Sequence, residues 1–216
     1  MFLSQLGPDQ RDSAISQLAA EEFDILVIGG GVTGVGAALD AASRGLKVAL
    51  IDSQDIAAGT SSRSSKLIHG GLRYLEQYDF KLVREALHER ELMVSTLCPH
   101  LVKPVGFLFP LTEKFKDRTY VGAGLALYDA LRGFQRALPW HKHLSQRQIN
   151  EIAPSLRHDI VTGAIKYFDA QVDDARHTMS VARTAARHGA IIATRVAAES
   201  LIREGKREVG VNARNL

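Results

Sequence analysis

Three glycines, Gly29, Gly31 and Gly34, stand in the spacing G-x-G-x-x-G, and a carboxylate, Asp52, follows about 20 residues further on. Residues of these types, in this order, suit a dinucleotide. Gly29 would permit the tight turn out of a strand, Gly31 would let a pyrophosphate approach the backbone, and Gly34 would let helix and strand pack closely. The start of the helix offers free N–H groups and the positive end of its dipole to the phosphates, an attraction of roughly 0.3–1 kcal/mol. Asp52 would accept hydrogen bonds from the adenosine ribose. An acid at that place argues against a 2′-phosphate, hence against NADP, and leaves FAD and NAD. A glycine triplet alone could be an ordinary turn without a ligand. Here strand, helix, second strand and terminal acid follow in order, which favours the cofactor.

Two other groups carry less. His141 and His143 flank Lys142 in an H-x-H. With no carboxylate near in sequence and a single cysteine in the chain, they read as an exposed loop, and no metal site is expected. That cysteine, Cys98, reads as a small core residue near a helix end. One thiol excludes a disulfide framework or a cysteine-based metal site within the chain and suits a reducing cytoplasm.

The elements that must position the site follow from apolar patterning. Asp24 to Gly29 is a short apolar run closed by glycine, the pattern of a parallel strand buried on both faces. Thr33 to Arg44, rich in alanine, is predicted helical and stops at Gly45. Lys47 to Ile51 is the second buried strand, with Asp52 at its end. Residues 53–71 are dense in Ser, Gly and Thr and read as a long functional loop. An amphipathic helix is expected from Asp79 to Leu97, with Leu82, Ala86, Leu87, Met93 and Leu97 on its apolar face. Beyond it come a strand at 105–111, helices at 118–131 and 145–152, and a strand at 163–168. A helix capped by Asp173 or Asp174, a strand at 191–196, and two strands joined by a turn at Glu204-Gly-Lys complete the pattern.

The chain has 216 residues, 45% hydrophobic and 24% charged, with a net charge of +3. Its cations are scattered rather than striped, so nucleic acid is not an expected partner. Residues 1–22 lack the basic start and apolar core of a signal peptide. The longest charge-free runs, at 25–39 and 119–128, fall short of the ~20 apolar residues that span a bilayer. No crossing is expected; a seat on a membrane surface stays open.

The residues after the βαβ unit carry a resemblance. Ile28-Gly-Gly-Gly-Val-Thr-Gly-Val-Gly-Ala-Ala-Leu-Asp40, continuing to Arg44-Gly45, is followed by Gly59-Thr-Ser-Ser-Arg-Ser-Ser-Lys-Leu-Ile-His-Gly-Gly-Leu-Arg-Tyr-Leu-Glu76. Together these closely resemble the FAD-dependent glycerol-3-phosphate dehydrogenases of the aerobic respiratory type, and Val172-Asp-Asp-Ala-Arg176 resembles a third segment of that family. The likeness runs from about Phe23 to Leu216. It implies an α/β fold: a Rossmann-like FAD-binding domain of the glutathione-reductase and amino-acid-oxidase type, incomplete, with part of a substrate or cap domain. On that pattern residues 1–22 are an N-terminal extension, 23–98 the FAD-binding unit with its flavin loop and helix, 99–168 the partial cap, and 169–216 a return to the FAD-binding domain.

By the same resemblance Gly29, Gly31, Gly34 and Asp52 hold the ADP half of FAD. Thr60, Ser61, Ser65, Lys66, Leu67 and His69 wrap the pyrophosphate and reach the flavin, and Arg195-Val196 lies near the adenine. Arg73 faces the substrate's phosphate, which suits a planar, permanently charged guanidinium. A salt bridge to Glu76 is its plain alternative. His69 contacts the flavin or serves in proton transfer, with a satisfied, partly buried histidine as the alternative. Family members often carry Glu where Asp52 stands, a change of one methylene that keeps the chemistry.

The reaction implied is oxidation of sn-glycerol 3-phosphate to dihydroxyacetone phosphate, with hydride to flavin N5 and electrons onward to a quinone. A cytoplasmic location, peripheral attachment to the inner face of the plasma membrane and a homodimer belong to the same expectation. Family chains run more than twice as long, so the sequence looks like an amino-terminal part, expected to be poorly soluble and inactive alone. Two other readings stand beside it. One is an amine or amino-acid oxidase on the same fold, against which the 66–76 segment argues. The other is a truncated FAD-binding remnant without turnover.

Overall fold

The computed structural model describes residues 6–113, 115–133, 137–157 and 159–216. In chain order the elements are α1 (Pro8–Ala20), β1 (Ile25–Ile28), α2 (Val32–Ser43), β2 (Val48–Asp52), β3 (Leu67–Ile68), α3 (Phe80–Leu92), β4 (Lys103–Leu111), α4 (Lys116–Leu131), β5 (Lys142–Ser145), α5 (Gln146–Ile152), β6 (Gly163–Gln171), α6 (Asp174–Arg187), β7 (Ile191–Thr194), β8 (Val196–Glu204) and β9 (Arg207–Asn215). They fall into two units. The first takes the chain up to Ser65 and again from Asp173 to Leu216; the second is Lys66–Val172. Residues 66–98, grouped with the FAD-binding unit in the sequence reading, thus lie in the second.

In the first unit β1, β2 and β7 form a parallel sheet in the order β1-β2-β7. Leu50 of β2 lies between Val27 and Ile192. The pleat sends alternate side chains to opposite faces. Val48, Leu50 and Ile192 pack on Val35 and Ala38 of α2 and on Ala182 and Ala185 of α6. Ile51 and Ala193 meet Ala14, Ile15 and Leu18 of α1 on the other face. β2 is therefore covered on both sides, and Val48 to Ile51 are at most 2% exposed. β1 departs from the expectation of full burial. It pairs only with β2 among the described residues, and Ile28 is 56% exposed. Within this stretch of chain it is the outer strand of the sheet, and an apolar run by itself does not name a strand's neighbours.

The N-terminal extension forms α1, with Gly7 ahead of it and Pro8 in its first turn. Arg11 fastens it: Nε donates to the carbonyl of Thr194 at 2.9 Å and a terminal nitrogen to that of Arg195 at 3.3 Å, with a further bond to Asn215. Asp173 caps α6 by accepting from the Arg176 N–H at 3.0 Å. Arg195, at φ +59°, breaks the strand predicted over 191–196. The chain then leaves the parallel sheet and enters the antiparallel β8–β9 hairpin.

The second unit is built on β6, which pairs along its whole length with β4 and, on its other edge, with β3 and β5. The 53–71 loop is therefore interrupted: Thr60–Ser62 makes one 3-10 turn, and Leu67 and Ile68 form β3. The helix expected from 79 to 97 ends at Leu92, and a π turn covers Met93–Leu97. Its buried face also differs. Leu82 and Leu97 are 42% and 61% exposed, whereas Val83, Leu87, Arg90 and Val94 face inward. An arginine on that stripe hid it in the sequence. Cys98 packs beside Val94 and Val102 as expected, and burial raises its thiol pKa.

Candidate functional site

Within the first unit the glycine turn joins β1 to α2. Gly29 has φ +113°, a backbone that side chains rarely adopt. A Cβ on Gly34 would lie 2.0 Å from the carbonyl oxygen of Gly29 and 3.3 Å from Val27. No side chain fits there without moving backbone, so the third glycine is what lets α2 start against β1. A Cβ on Gly31 would meet Ser61 Oγ at 3.2 Å. That hydroxyl accepts from the Val32 N–H at 2.9 Å, which ties the loop after β2 to the first turn of α2. The next N–H groups of the helix lack intrahelical acceptors by geometry, which leaves them available to an anion.

Asp52 ends β2 with its carboxylate turned to the loop backbone. Oδ2 accepts from the Gly30 N–H and Oδ1 from the Gln54 N–H, each at 2.6 Å. The acid thus braces the glycine turn, a role that spacing alone does not reveal. A carboxylate offers about four acceptor sites, so it retains capacity for a ribose hydroxyl. Thr60 and Ser65 are exposed, and Val196 is buried at the start of β8, 6% exposed. Ser64, one of the hydroxyls of the 60–65 loop, has a protein partner: its N–H and Oγ donate to Asp174 Oδ2 at 3.1 and 2.7 Å. The signal was the Asp pair at 173–174: one carboxylate caps α6 and leaves the other to hold the loop.

Lys66, Leu67, His69 and Arg73 lie in the second unit. Lys66 is exposed at φ +60°, and its carbonyl accepts from the Val172 N–H at 2.9 Å. Leu67 pairs with Gln171 in β3. His69 is exposed, and its Nδ1 accepts from the Gly71 N–H at 3.0 Å, which places the proton of the neutral ring on Nε2. Arg73 projects from a 3-10 turn at Leu72–Leu75. Its guanidinium rests over the Tyr74 ring, 5.1 Å from the centroid, and donates to the Tyr74 hydroxyl at 3.3 Å. Among the described residues it makes no ion pair with Glu76, so the alternative of a local salt bridge is not formed.

Beneath this segment lies a cluster that sequence reading missed. The Gly70 N–H is buried and donates to the Tyr128 hydroxyl at 2.8 Å, with Asp169 Oδ1 at 3.3 Å. Tyr128 donates to the same Asp169 oxygen at 2.9 Å, and Arg90 pairs with it. Burial and the Asp169 charge raise the phenol pKa. The visible signal was Arg90 in register with Val83 and Leu87 on one helix face. His141 corrects another expectation: it is half-buried, and its Nδ1 lies 2.7 Å from Asp129 Oδ2, while His143 sits on β5.

A strand, a glycine turn with no room for a Cβ, a helix start and a braced terminal acid define a Rossmann-like dinucleotide-binding flavoprotein unit, and the residues present fit FAD. Comparison with known proteins makes this specific. Residues 24–215 match the FAD dependent oxidoreductase family, DAO, and the chain belongs to it. It is 55% identical to the glycerol-3-phosphate dehydrogenase of Mycobacterium leprae over 98% of this chain and 36% of that protein. It therefore spans about a third of such a relative. A solved glycerol-3-phosphate dehydrogenase from Bacillus halodurans, complexed with FAD, superposes with TM-score 0.69 at 30% identity, over 100% of this chain and 34% of that one. L-proline dehydrogenase from P. horikoshii shares the fold, with TM-score 0.69 at 24% identity over 89% of this chain and 49% of that one.

Proposed function

We propose that the protein containing this chain oxidises sn-glycerol 3-phosphate to dihydroxyacetone phosphate. The observation that carries the reading is the 55% identity, across nearly the whole chain, to an enzyme named for that dehydrogenation. The amine-oxidising neighbour shares only the fold, at 24% identity. Bound FAD supplies the two-electron acceptor for the hydride leaving C2. The chain's part is to bind and orient. The glycine turn and Asp52 hold the adenosine end of the cofactor, with Thr60, Ser61 and Ser65 supplying hydroxyls for its phosphates. Arg73 grips the substrate phosphate with two parallel N–H bonds, and binding energy spent there fixes C2 for reaction. His69 presents an N–H at Nε2, suited to donate a hydrogen bond to the reacting oxygen or to the flavin, and it accepts a proton only where Nδ1 gives up the Gly71 N–H. Quinone as final acceptor, peripheral attachment to the cytoplasmic face of the plasma membrane and a homodimer belong to this reading, on the strength of the resemblance in sequence.

The test is dye-coupled oxidation by the full-length, FAD-loaded protein. Glycerol 3-phosphate should reduce the dye, while glycerol and L-proline should not. Reduction by L-proline with none by glycerol 3-phosphate would transfer the protein to the amine-oxidising class.

A further inference from the structure

We propose that Arg90, Tyr128 and Asp169 form a buried positioning device that sets the backbone of His69 to Arg73 through the single N–H of Gly70. The inference rests on the reading of His69 and Arg73 given above. Three elements converge on one amide: Arg90 comes from α3, Tyr128 from α4 and Asp169 from β6. The Arg90 and Asp169 side chains are 1% and 6% exposed, and Tyr128 is 2% exposed.

Such a cluster is a poor way to stabilise a core. Desolvating two charges is costly before their attraction is counted, and well-packed apolar residues often do as well or better. Here the charge is also incompletely answered, because Arg90 Nε is buried without a partner. What the cluster does supply is direction. Tyr128 stays protonated, so its hydroxyl gives its proton to Asp169 and turns its lone pairs toward Gly70 and Arg90, the latter at 3.3 Å. The Gly70 N–H is aimed into the cluster, at the Tyr128 hydroxyl with Asp169 Oδ1 behind it.

The segment itself is shaped to receive that constraint. A Cβ on Gly70 would lie 2.3 Å from Leu87 Cδ2 and 2.5 Å from the Tyr128 hydroxyl, so only glycine reaches the cluster. Gly71 follows at φ +70°, and the chain enters the 3-10 turn that bears Arg73. Leu72, Tyr74 and Leu75 of that turn pack on Val83, Leu87 and Tyr128. One residue before the clamped amide is His69 and three residues after it is Arg73. Fixing Gly70 therefore sets the two exposed residues on either side of it, His69 and Arg73, and a misplacement of about 1 Å can cost a hundredfold in rate.

Tyr128→Phe in the full-length, FAD-loaded protein removes the nearer acceptor of the Gly70 N–H while keeping the ring. Amide hydrogen exchange across 69–73 should then quicken by about tenfold, with other amides of Lys66–Val172 changed less than about twofold. Flavin content should hold, and KM for glycerol 3-phosphate should rise several-fold more than kcat falls. Asp169→Asn, which keeps the shape and strands the Arg90 charge, should show the same local pattern more strongly. Exchange that quickens evenly over the unit, or stays unchanged at 69–73, would overturn the proposal, as would failure of both variants to fold. A wild-type protein inactive on glycerol 3-phosphate would sink the substrate assignment alone, because the exchange comparison decides the positioning role by itself.

Discussion

The carboxylate of Asp52 accepts a 2.6 Å hydrogen bond from the backbone N–H of Gly30. The acid at the end of β2 and the glycine turn at the end of β1 are thus one construction, and loss of the acid should act on the cofactor twice. Asp52→Ala removes a partner for the ribose and frees the turn that cradles the phosphates. Hydrogen bonds to a charged acceptor contribute about 1.5–3 kcal/mol, or roughly ten- to a hundredfold in affinity. Titration of the full-length apoprotein with FAD should show a loss of at least that size, and an unchanged dissociation constant would remove Asp52 from the site.

Gly34→Ala should be worse than a helix-propensity argument suggests. Alanine is normally favoured over glycine inside a helix by up to about 1 kcal/mol. Here its methyl group would sit 2.0 Å from the Gly29 carbonyl oxygen, so β1 and α2 must separate. Overpacking of this kind costs about 1–3 kcal/mol. Thermal melts should show the variant destabilised, with weaker FAD binding. A variant as stable as wild type would mean that the turn has slack.

Arg73→Lys separates charge from geometry. Lysine keeps the positive charge and loses the two-pronged contact, so KM for glycerol 3-phosphate should rise by about tenfold with flavin content unchanged. Loss of flavin instead would move Arg73 from the substrate to the cofactor.

His177 on α6 gives the fold an acid-sensitive point. Burial lowers its pKa below the usual value, so the folded state disfavours the proton that the unfolded chain accepts near pH 6.5. Stability from the neutral ring is present above that pH and is lost as pH falls below it. His177→Gln should flatten the decline in melting temperature as pH falls below about 6.5. A decline of the same slope in the variant would assign the acid sensitivity to other groups.

The βαβ unit was legible in the sequence because its constraints are local. Gly29, Gly34 and Asp52 need only their own strand and helix to acquire meaning, and they stand where spacing put them. What escaped depends on partners distant in the chain. Arg90 reads as a solvent-facing charge until Asp169 is brought beside it, and that pairing rotates the buried face of α3 away from Leu82 and Leu97. Tyr128 sat in a charge-free run whose only visible property was apolarity. The pairing of β1 with β2 is likewise invisible in Ile-Leu-Val-Ile, since a strand's neighbours are a property of the sheet. His141 looked free because its carboxylate, Asp129, comes from the preceding helix rather than from the adjoining sequence.

Arg11 binds the carbonyls of Thr194 and Arg195, and β2 takes β7 as its second neighbour. On the ribosome both partners arrive late, because all of Lys66–Val172 must be made first. At about 5–20 residues per second, β2 waits on the order of ten seconds with one edge open and α1 unfastened. The second unit emerges whole in that interval, so it is free to fold before the parallel sheet of the first is complete. Assembly order then differs from chain order: α1 leaves the tunnel well before the carbonyls that fasten it, and a translational pause near Thr194 would prolong the time for which a nascent apolar strand depends on chaperones.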